Sequence, residues 1–189
     1  MEKAQSLGWE VVRRPTGGGI VFHNEAEVTY SLVTGVDGLP AGLISSFKKI
    51  SEAVIIGLGG LGIRAEIREQ SPDVKSGSRP KRRDTGLCFS YPAEYEIVVS
   101  GRKIVGAAQK RGKKALLQQG SVYVRKEPDD ILSMLKKPID KKVYRENAIS
   151  VEEVLGREVG FEELSGALVK GFREKLGVKI VEETRNKIQ

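Results

Sequence analysis

The chain has 189 residues, of which 39% are hydrophobic and 30% are charged, which is enough apolar material for the core of one domain. The single cysteine, Cys88, excludes an intrachain disulfide framework. The sequence has no apolar signal-like start and no stretch near the roughly 20 apolar residues of a membrane span. We therefore expect one cytoplasmic domain over residues 1–189. The net charge of +7 suits nucleic acid or an acidic protein partner equally well, so it selects neither.

The first third of the chain alternates between short apolar runs and glycine-rich segments. Its patterns predict strands at residues 9–12, 20–22, 28–33 and 63–67. A basic glycine-rich turn at 13–19 separates the first two strands, and a helix at 43–58, ended by glycines, precedes the last one. Residues 57–62 also fit the dinucleotide-binding glycine pattern. That fingerprint should follow a strand and open a helix, whereas here it closes a helical pattern, so we interpret it as a helix end.

The rest of the chain opens with a basic loop at residues 71–85, which has no apolar periodicity. Next come a hairpin of strands at 95–99 and 102–105 around Ser100-Gly101, and a strand at 116–124 after a basic turn at 110–114. A short helix at 129–135 is followed by a helix at 150–155, with Ser150 as N-cap and Glu153 in a capping box. The last predicted elements are an amphipathic helix at 161–176 and a strand at 178–181. The class is α+β, with a mostly antiparallel sheet flanked by helices.

Residues 13–23 combine two arginines with three consecutive glycines. Glycines allow backbone N–H groups to approach a ligand, and arginines bind anions, although a plain basic hairpin loop has the same composition. The segment resembles the Arg-Arg-x-Thr-Gly-Gly-Gly-x-Val-x-His signature of lipoate-protein ligases and octanoyltransferases. The resemblance implies the fold of a biotin/lipoate-ligase catalytic domain. It also implies an acyl-binding loop, whose residues here are Arg13, Arg14, Thr16, Gly17, Gly18, Gly19 and His23.

A second segment, residues 101–111, resembles the Gly-x-Lys-x-x-Gly-Ser-Ala-Gln stretch of the same family. By that resemblance Lys103 touches the acyl carbonyl, where an ammonium would stabilise an oxyanion; alone, it would be interpreted as a solvated hairpin lysine. The further substrate-binding positions implied are Gly106, Ala107, Gln109 and Gly120. Three positions depart from the family pattern: Asn24 for aspartate, Ala107 for serine and Gln119 for histidine.

Cys88 lies in a context that resembles the cysteine-dependent octanoyltransferases, in which this loop carries the nucleophile. A thiolate suits acyl transfer between thioesters, although a lone cysteine is often only a small buried residue. No sequence around Cys88 matches a protease, so His23 is not expected to form a hydrolase dyad with it.

The resemblance implies transfer of an octanoyl or lipoyl group to a lysine of a lipoyl domain or a glycine-cleavage H protein. Acyl carrier protein is a possible donor, and no cofactor is needed. The alternatives are an ATP- and Mg²⁺-dependent lipoate ligase without its accessory domain, or a non-catalytic acyl-carrier or nucleic-acid binding module. The basic run at residues 75–83 lacks aromatic platforms, so we do not expect nucleic acid. Only twelve residues precede Arg13, so we expect an N-terminally shortened domain that a second chain could complete.

Overall fold

A computed structural model describes residues 2–6, 8–69, 94–126 and 141–181 of the chain. Within these ranges the helices are α1 (Glu2–Ser6), α2 (Leu43–Gly59), α3 (Lys141–Asn147), α4 (Val151–Leu155) and α5 (Phe161–Leu176), with a 3-10 turn at Val36–Gly38. The strands are β1 (Val28–Gly35), β2 (Glu66–Ile67), β3 (Ile97–Val99), β4 (Arg102–Arg111) and β5 (Ala115–Val122). The class is therefore α+β, as the sequence patterns predict.

The five strands form one antiparallel sheet in the order β1-β5-β4-β3-β2. Alternation along the strands gives the sheet two faces with different neighbours. We call one the helix face, because Tyr30 of β1 stacks edge-on against Phe172 of α5 at 5.4 Å between ring centroids. The core lies on this side and includes Val105 and Val122, which pair across β4 and β5.

Helices α2 and α5 pack closely against each other over the helix face. Gly57 of α2 and Gly171 of α5 allow this approach, because a side chain at either position would meet the backbone of the other helix. A Cβ on Gly57 would lie 2.8 Å from the Ala167 carbonyl oxygen, and one on Gly171 would lie 2.5 Å from the Gly57 nitrogen. The glycine-rich stretch at residues 57–62 is thus a helix end, as predicted, and Gly57 also makes a helix-packing contact that was not predicted.

Strand β4 contains a bulge next to its hairpin with β3. The hairpin turn has positive φ at Ser100 (49°) and Gly101 (76°), which suits a two-residue hairpin turn. Val98 pairs with Lys103, but the preceding residue of β3, Ile97, pairs with Val105, so β4 has one extra residue. The extra residue lets Ile104 and Val105 both lie in the core and turns Lys103 to the opposite face of the sheet.

The predicted helices at residues 43–58 and 161–176 and the strands at 28–33, 95–99, 102–105 and 116–124 are confirmed with small changes of boundary. Ser150 is the N-cap of α4 and accepts a hydrogen bond from the Glu153 backbone N–H, as predicted. The Glu153 carboxylate binds Arg102 and Lys126. The basic loop at 71–85 and the helix at 129–135 lie outside the described residues.

Four predicted strands were wrong in whole or in part. Residues 9–12 and 178–181 have no strand structure, and Val12 and Val181 are 86% and 75% exposed, so apolar composition alone did not give them a pairing partner. Of residues 20–22 only Ile20 forms an isolated bridge, and the strand at 63–67 shortens to Glu66–Ile67. Helices α1 and α3 were not predicted, because neither has a clear apolar stripe.

Candidate functional site

The glycine-rich loop is organised around the Arg14 side chain. The Arg14 Nη2 atom donates to the carbonyl oxygens of Gly17 at 2.9 Å and Gly19 at 2.8 Å. Gly18 has a φ of 108°, and a Cβ there would lie 2.8 Å from Arg14 Nη2. Arg14 thus holds the loop in its conformation. The sequence resemblance implied a different role for it, a contact with the acyl group.

Thr16 fixes the loop to the sheet, on the face opposite α2 and α5. Thr16 is 7% exposed, and its hydroxyl donates to Gln119 Oε1 at 3.2 Å. The Gln119 amide in turn donates to Ser31 Oγ at 3.3 Å. Gln119, which stands where the family pattern has histidine, therefore anchors the loop to the sheet. We call this side of the sheet the loop face.

His23 lies after the loop and pairs with Glu27. The distance from His23 Nδ1 to Glu27 Oε2 is 2.5 Å, and the Glu27 side chain is 1% exposed whereas that of His23 is 56% exposed. The hydrogen bond to Glu27 raises the pKa of His23 above its ordinary value, against the opposing effect of partial burial. His23 is therefore held as a partner of a buried carboxylate.

Lys103 is completely buried and forms an ion pair with Glu96. The distance from Lys103 Nζ to Glu96 Oε1 is 2.5 Å, and Glu96 is 8% exposed. A buried ammonium is tolerated only when it is paired and hydrogen-bonded. The interpretation of Lys103 as a solvated hairpin lysine is therefore excluded, and the bulge in β4 explains why it lies on the loop face.

The register of the sheet aligns residues of three strands on the loop face. Gly106 of β4 pairs with Ser121 of β5, and Ser121 pairs with Thr29 of β1. Because Ile97 pairs with Val105, continuing the register by one residue places Glu96 beside Gly106. Glu96 and Ser121 therefore lie on either side of Gly106, and the Lys103 ammonium is bound to Glu96.

Ala107, Gln109 and Gly120 lie towards the helix face. Gln109 Nε2 donates to Ser46 Oγ of α2 at 3.2 Å, and a Cβ on Gly120 would overlap the Tyr30 ring. Ala107 pairs with Gly120 and shares this orientation. The structure thus separates these three positions from the loop, although the resemblance grouped them with it.

Arg13 is exposed at the edge of the loop, and Cys88 lies outside the described residues. Among the described residues no three His, Cys, Asp or Glu side chains converge as metal ligands. None of the helices in the described ranges has the length and apolar character of a membrane span.

Sequence reasoning missed Glu27, Glu96 and Ser121. Isolated acidic residues and serines carry no spacing signal. Glu27 has the i,i+4 spacing from His23 that suits a pair on a helix, but the structure forms this contact in a turn before β1. Glu96 and Ser121 are recognisable only once the strand register is known.

Comparison with known proteins gives a consistent result. Residues 1–173 match the family described as the lipoyl protein ligase A/B catalytic domain. A curated relative, the octanoyltransferase LipM of Kyrpidia tusciae, is 35% identical over 187 residues, which cover 95% of this chain and 67% of that protein. The expectation of an acyltransferase agrees with the name of this relative.

Two solved structures share the fold. A bi-partite lipoate protein ligase from Thermoplasma acidophilum matches with a TM-score of 0.73 and 25% identity, covering 98% of this chain and 65% of that one. A lipoate-protein ligase A bound with ATP matches with a TM-score of 0.70 and 28% identity, covering 98% and 66%. The chain thus spans about two thirds of the length of the relatives that it matches.

Proposed function

This chain belongs to the lipoyl protein ligase A/B catalytic domain family, and we propose that it transfers an octanoyl or lipoyl group to a lysine of a carrier domain through a thioester on Cys88. The acceptor is a lipoyl domain or a glycine-cleavage H protein, and the donor is an acyl thioester such as acyl carrier protein. The whole chain, residues 1–189, is proposed to act as one domain, located in the cytoplasm.

The observation that carries the proposal is the buried Lys103 on the sheet face that also holds the glycine-rich loop. A buried ion pair is often no more stabilising than well-packed apolar residues of the same volume, so its presence on this face points to a function beyond folding. The Glu96 carboxylate fixes the position of the Lys103 Nζ atom, with a distance of 2.5 Å between Nζ and Glu96 Oε1. Thr16 and Gln119 anchor the loop on the same face at 3.2 Å.

The proposed reaction has two half-reactions. In the first, the Cys88 thiolate attacks the carbonyl carbon of the donor thioester, and the carbonyl electron pair moves to oxygen. Collapse of this intermediate breaks the bond to the donor sulfur, which leaves as a thiolate and takes a proton. In the second, the acceptor lysine amine attacks the acyl-cysteine, the new C–N bond forms, and Cys88 leaves with the proton lost by the amine.

Lys103 is the residue that we assign to the developing negative charge on the carbonyl oxygen. A positively charged donor in a site without water interacts with an oxyanion far more strongly than it would in bulk solvent. The Glu96 carboxylate holds the ammonium in place before the reaction, so little reorganisation is needed when the charge appears.

The test is the intact mass of the protein after incubation with octanoyl-N-acetylcysteamine, in the absence of ATP. We expect one octanoyl adduct that hydroxylamine removes, and Cys88→Ala should not form it. Because Cys88 is the single cysteine of the sequence, a thioester adduct can form at no other thiol. An adduct that survives in Cys88→Ala would contradict the assignment of the nucleophile.

A second candidate is ATP-dependent ligation of free lipoate, since one similar structure contains ATP. This chain would then form lipoyl-AMP with Mg²⁺, and Cys88 would not be required. Incubation with lipoate, ATP and Mg²⁺, followed by detection of lipoyl-AMP, separates the two reactions. If neither product forms, both reactions are contradicted for this chain.

A further inference from the structure

Ser121 has a buried hydroxyl without a hydrogen-bond partner among the described residues. The residue is 3% exposed, and its Oγ atom makes no hydrogen bond. Leaving such a group unpaired in a folded protein costs about 1–3 kcal/mol. A hydroxyl retained at this cost on the loop face is explained if a bound ligand supplies the missing partner.

The neighbours of Ser121 identify the part of the ligand that would bind there. Ser121 pairs with Gly106. Glu96 directly precedes Ile97, which pairs with Val105, so extending this register by one residue puts Glu96 on the other side of Gly106. Neighbouring strands are about 4.8 Å apart, so Glu96 and Ser121 stand about two strand spacings apart with no side chain between them. The Lys103 ammonium is bound to Glu96 at 2.5 Å. The gap over Gly106 therefore has a cation on one side and a hydroxyl on the other.

A small acceptor oxygen suits this gap. Glycine within a strand often marks a place where a ligand approaches the backbone closely. An ammonium and a hydroxyl can both donate hydrogen bonds, so an oxygen atom over Gly106 would accept from both. In the proposed reaction that oxygen is the carbonyl oxygen of the acyl group, which becomes negatively charged in each half-reaction.

We propose that Ser121 is a catalytic residue, whose hydroxyl donates a hydrogen bond to the carbonyl oxygen of the acyl thioester, opposite Lys103. This inference rests on the proposed function. When the nucleophile attacks, the C=O electron pair moves to oxygen, and the hydroxyl and the ammonium share the resulting negative charge. The proton of Ser121 stays on the hydroxyl throughout, so the residue stabilises charge and does not transfer a proton.

Ser51 provides a matched control for this proposal. Its hydroxyl is also buried without a hydrogen-bond partner among the described residues, but it lies in α2, on the other side of the sheet. Ser51→Ala and Ser121→Ala remove the same atoms from equally buried positions. Neither change removes a hydrogen bond seen in the structure, so neither should lower the melting temperature.

The experiment measures octanoyl-adduct formation and transfer for the wild type and both variants, together with their melting temperatures. We expect Ser121→Ala to lower kcat roughly 100- to 1,000-fold with little change in KM, because loss of one oxyanion donor acts on the transition state. Ser51→Ala should keep the wild-type rate. Equal rates for the two variants would overturn the role of Ser121, even if the wild type transfers acyl groups.

Infrared spectroscopy gives a readout that is independent of turnover. The probe is a ketone analogue of octanoyl-N-acetylcysteamine, with methylene in place of sulfur and carbon-13 at the carbonyl. Its bound carbonyl band should shift to lower frequency in the wild type and in Ser51→Ala, and shift less in Ser121→Ala. Identical bands in all three proteins would overturn the inference. Failure of the wild type both to bind the probe and to form an adduct would overturn the proposed function and, with it, this inference.

Discussion

His23 and Glu27 form a pair whose consequences are best tested with pH. The hydrogen bond to Glu27 raises the pKa of His23, so the folded state binds a proton more tightly than the unfolded chain, whose histidine titrates near 6.5. The contribution of the pair to the free energy of unfolding is therefore complete below about pH 6.5 and is lost as pH rises through the folded pKa.

We expect Glu27→Gln to lower the pKa of His23, as measured by NMR titration of the ring protons. The measurement is simple because His23 is the single histidine of the sequence. The difference in unfolding free energy between wild type and variant should shrink as pH increases from about 6 to about 9. An unchanged pKa of His23 in the variant would show that Glu27 does not stabilise the imidazolium in solution.

The Lys103–Glu96 pair should behave as a buried ion pair in stability measurements. Glu96→Gln leaves the Lys103 ammonium with a neutral partner, and we expect about 3–5 kcal/mol less unfolding free energy in urea titrations. Replacing both residues, Lys103→Met with Glu96→Leu, should recover most of this lost stability, whereas acyl transfer should be lost because the ammonium is absent. A double variant as unstable as Glu96→Gln would contradict this account, because it would show that packing and not charge determines the loss.

At the scale of elements, the α2–α5 contact depends on the absence of side chains at its crossing. In Gly171→Ala the new methyl group would press on the Ala53 carbonyl and the backbone of Gly57, and we expect a loss of about 1–3 kcal/mol. Gly166→Ala lies in the same helix with nothing near its Cβ, and should gain up to about 1 kcal/mol from helix propensity. Thermal unfolding of the two variants checks both signs. Equal effects would mean that the helices separate easily at this crossing.

The elements that could be predicted from the sequence are those with a long periodic pattern. Helix α5 was predicted at its observed bounds, and α2 within one residue, because an apolar stripe repeats over several turns and glycines follow it. The strands at residues 9–12 and 178–181 were wrong because a run of four residues has no periodicity of its own. A strand also needs a pairing partner, which such a short run does not specify.

At the scale of the whole molecule, the sequence motifs identified the loop and Lys103 but not their surroundings. Residues 13–23 and 101–111 carry recognisable glycine and basic patterns, whereas Glu96 and Ser121 reach the same site through the register of β3, β4 and β5. The bulge that turns Lys103 to the loop face is one inserted residue, and no local pattern marks it. Residue types were therefore predictable, and their alignment across strands was not.

The net charge of +7 leads to a prediction about the acceptor, which we expect to be an acidic carrier domain. Attraction between a basic enzyme and an acidic domain speeds their encounter and is screened by salt. Raising the salt concentration from about 0.05 M to about 0.3 M shortens the Debye length roughly 2.5-fold and weakens contacts between several charges, so kcat/KM for the carrier domain should fall several-fold. Adduct formation from the neutral octanoyl-N-acetylcysteamine is the control, and it should change little. A carrier reaction that is as insensitive to salt as the control would show that the positive charge does not guide the acceptor.

Salt-sensitive binding to nucleic acid without any acyl transfer would instead support a binding module, because phosphate contacts depend steeply on salt.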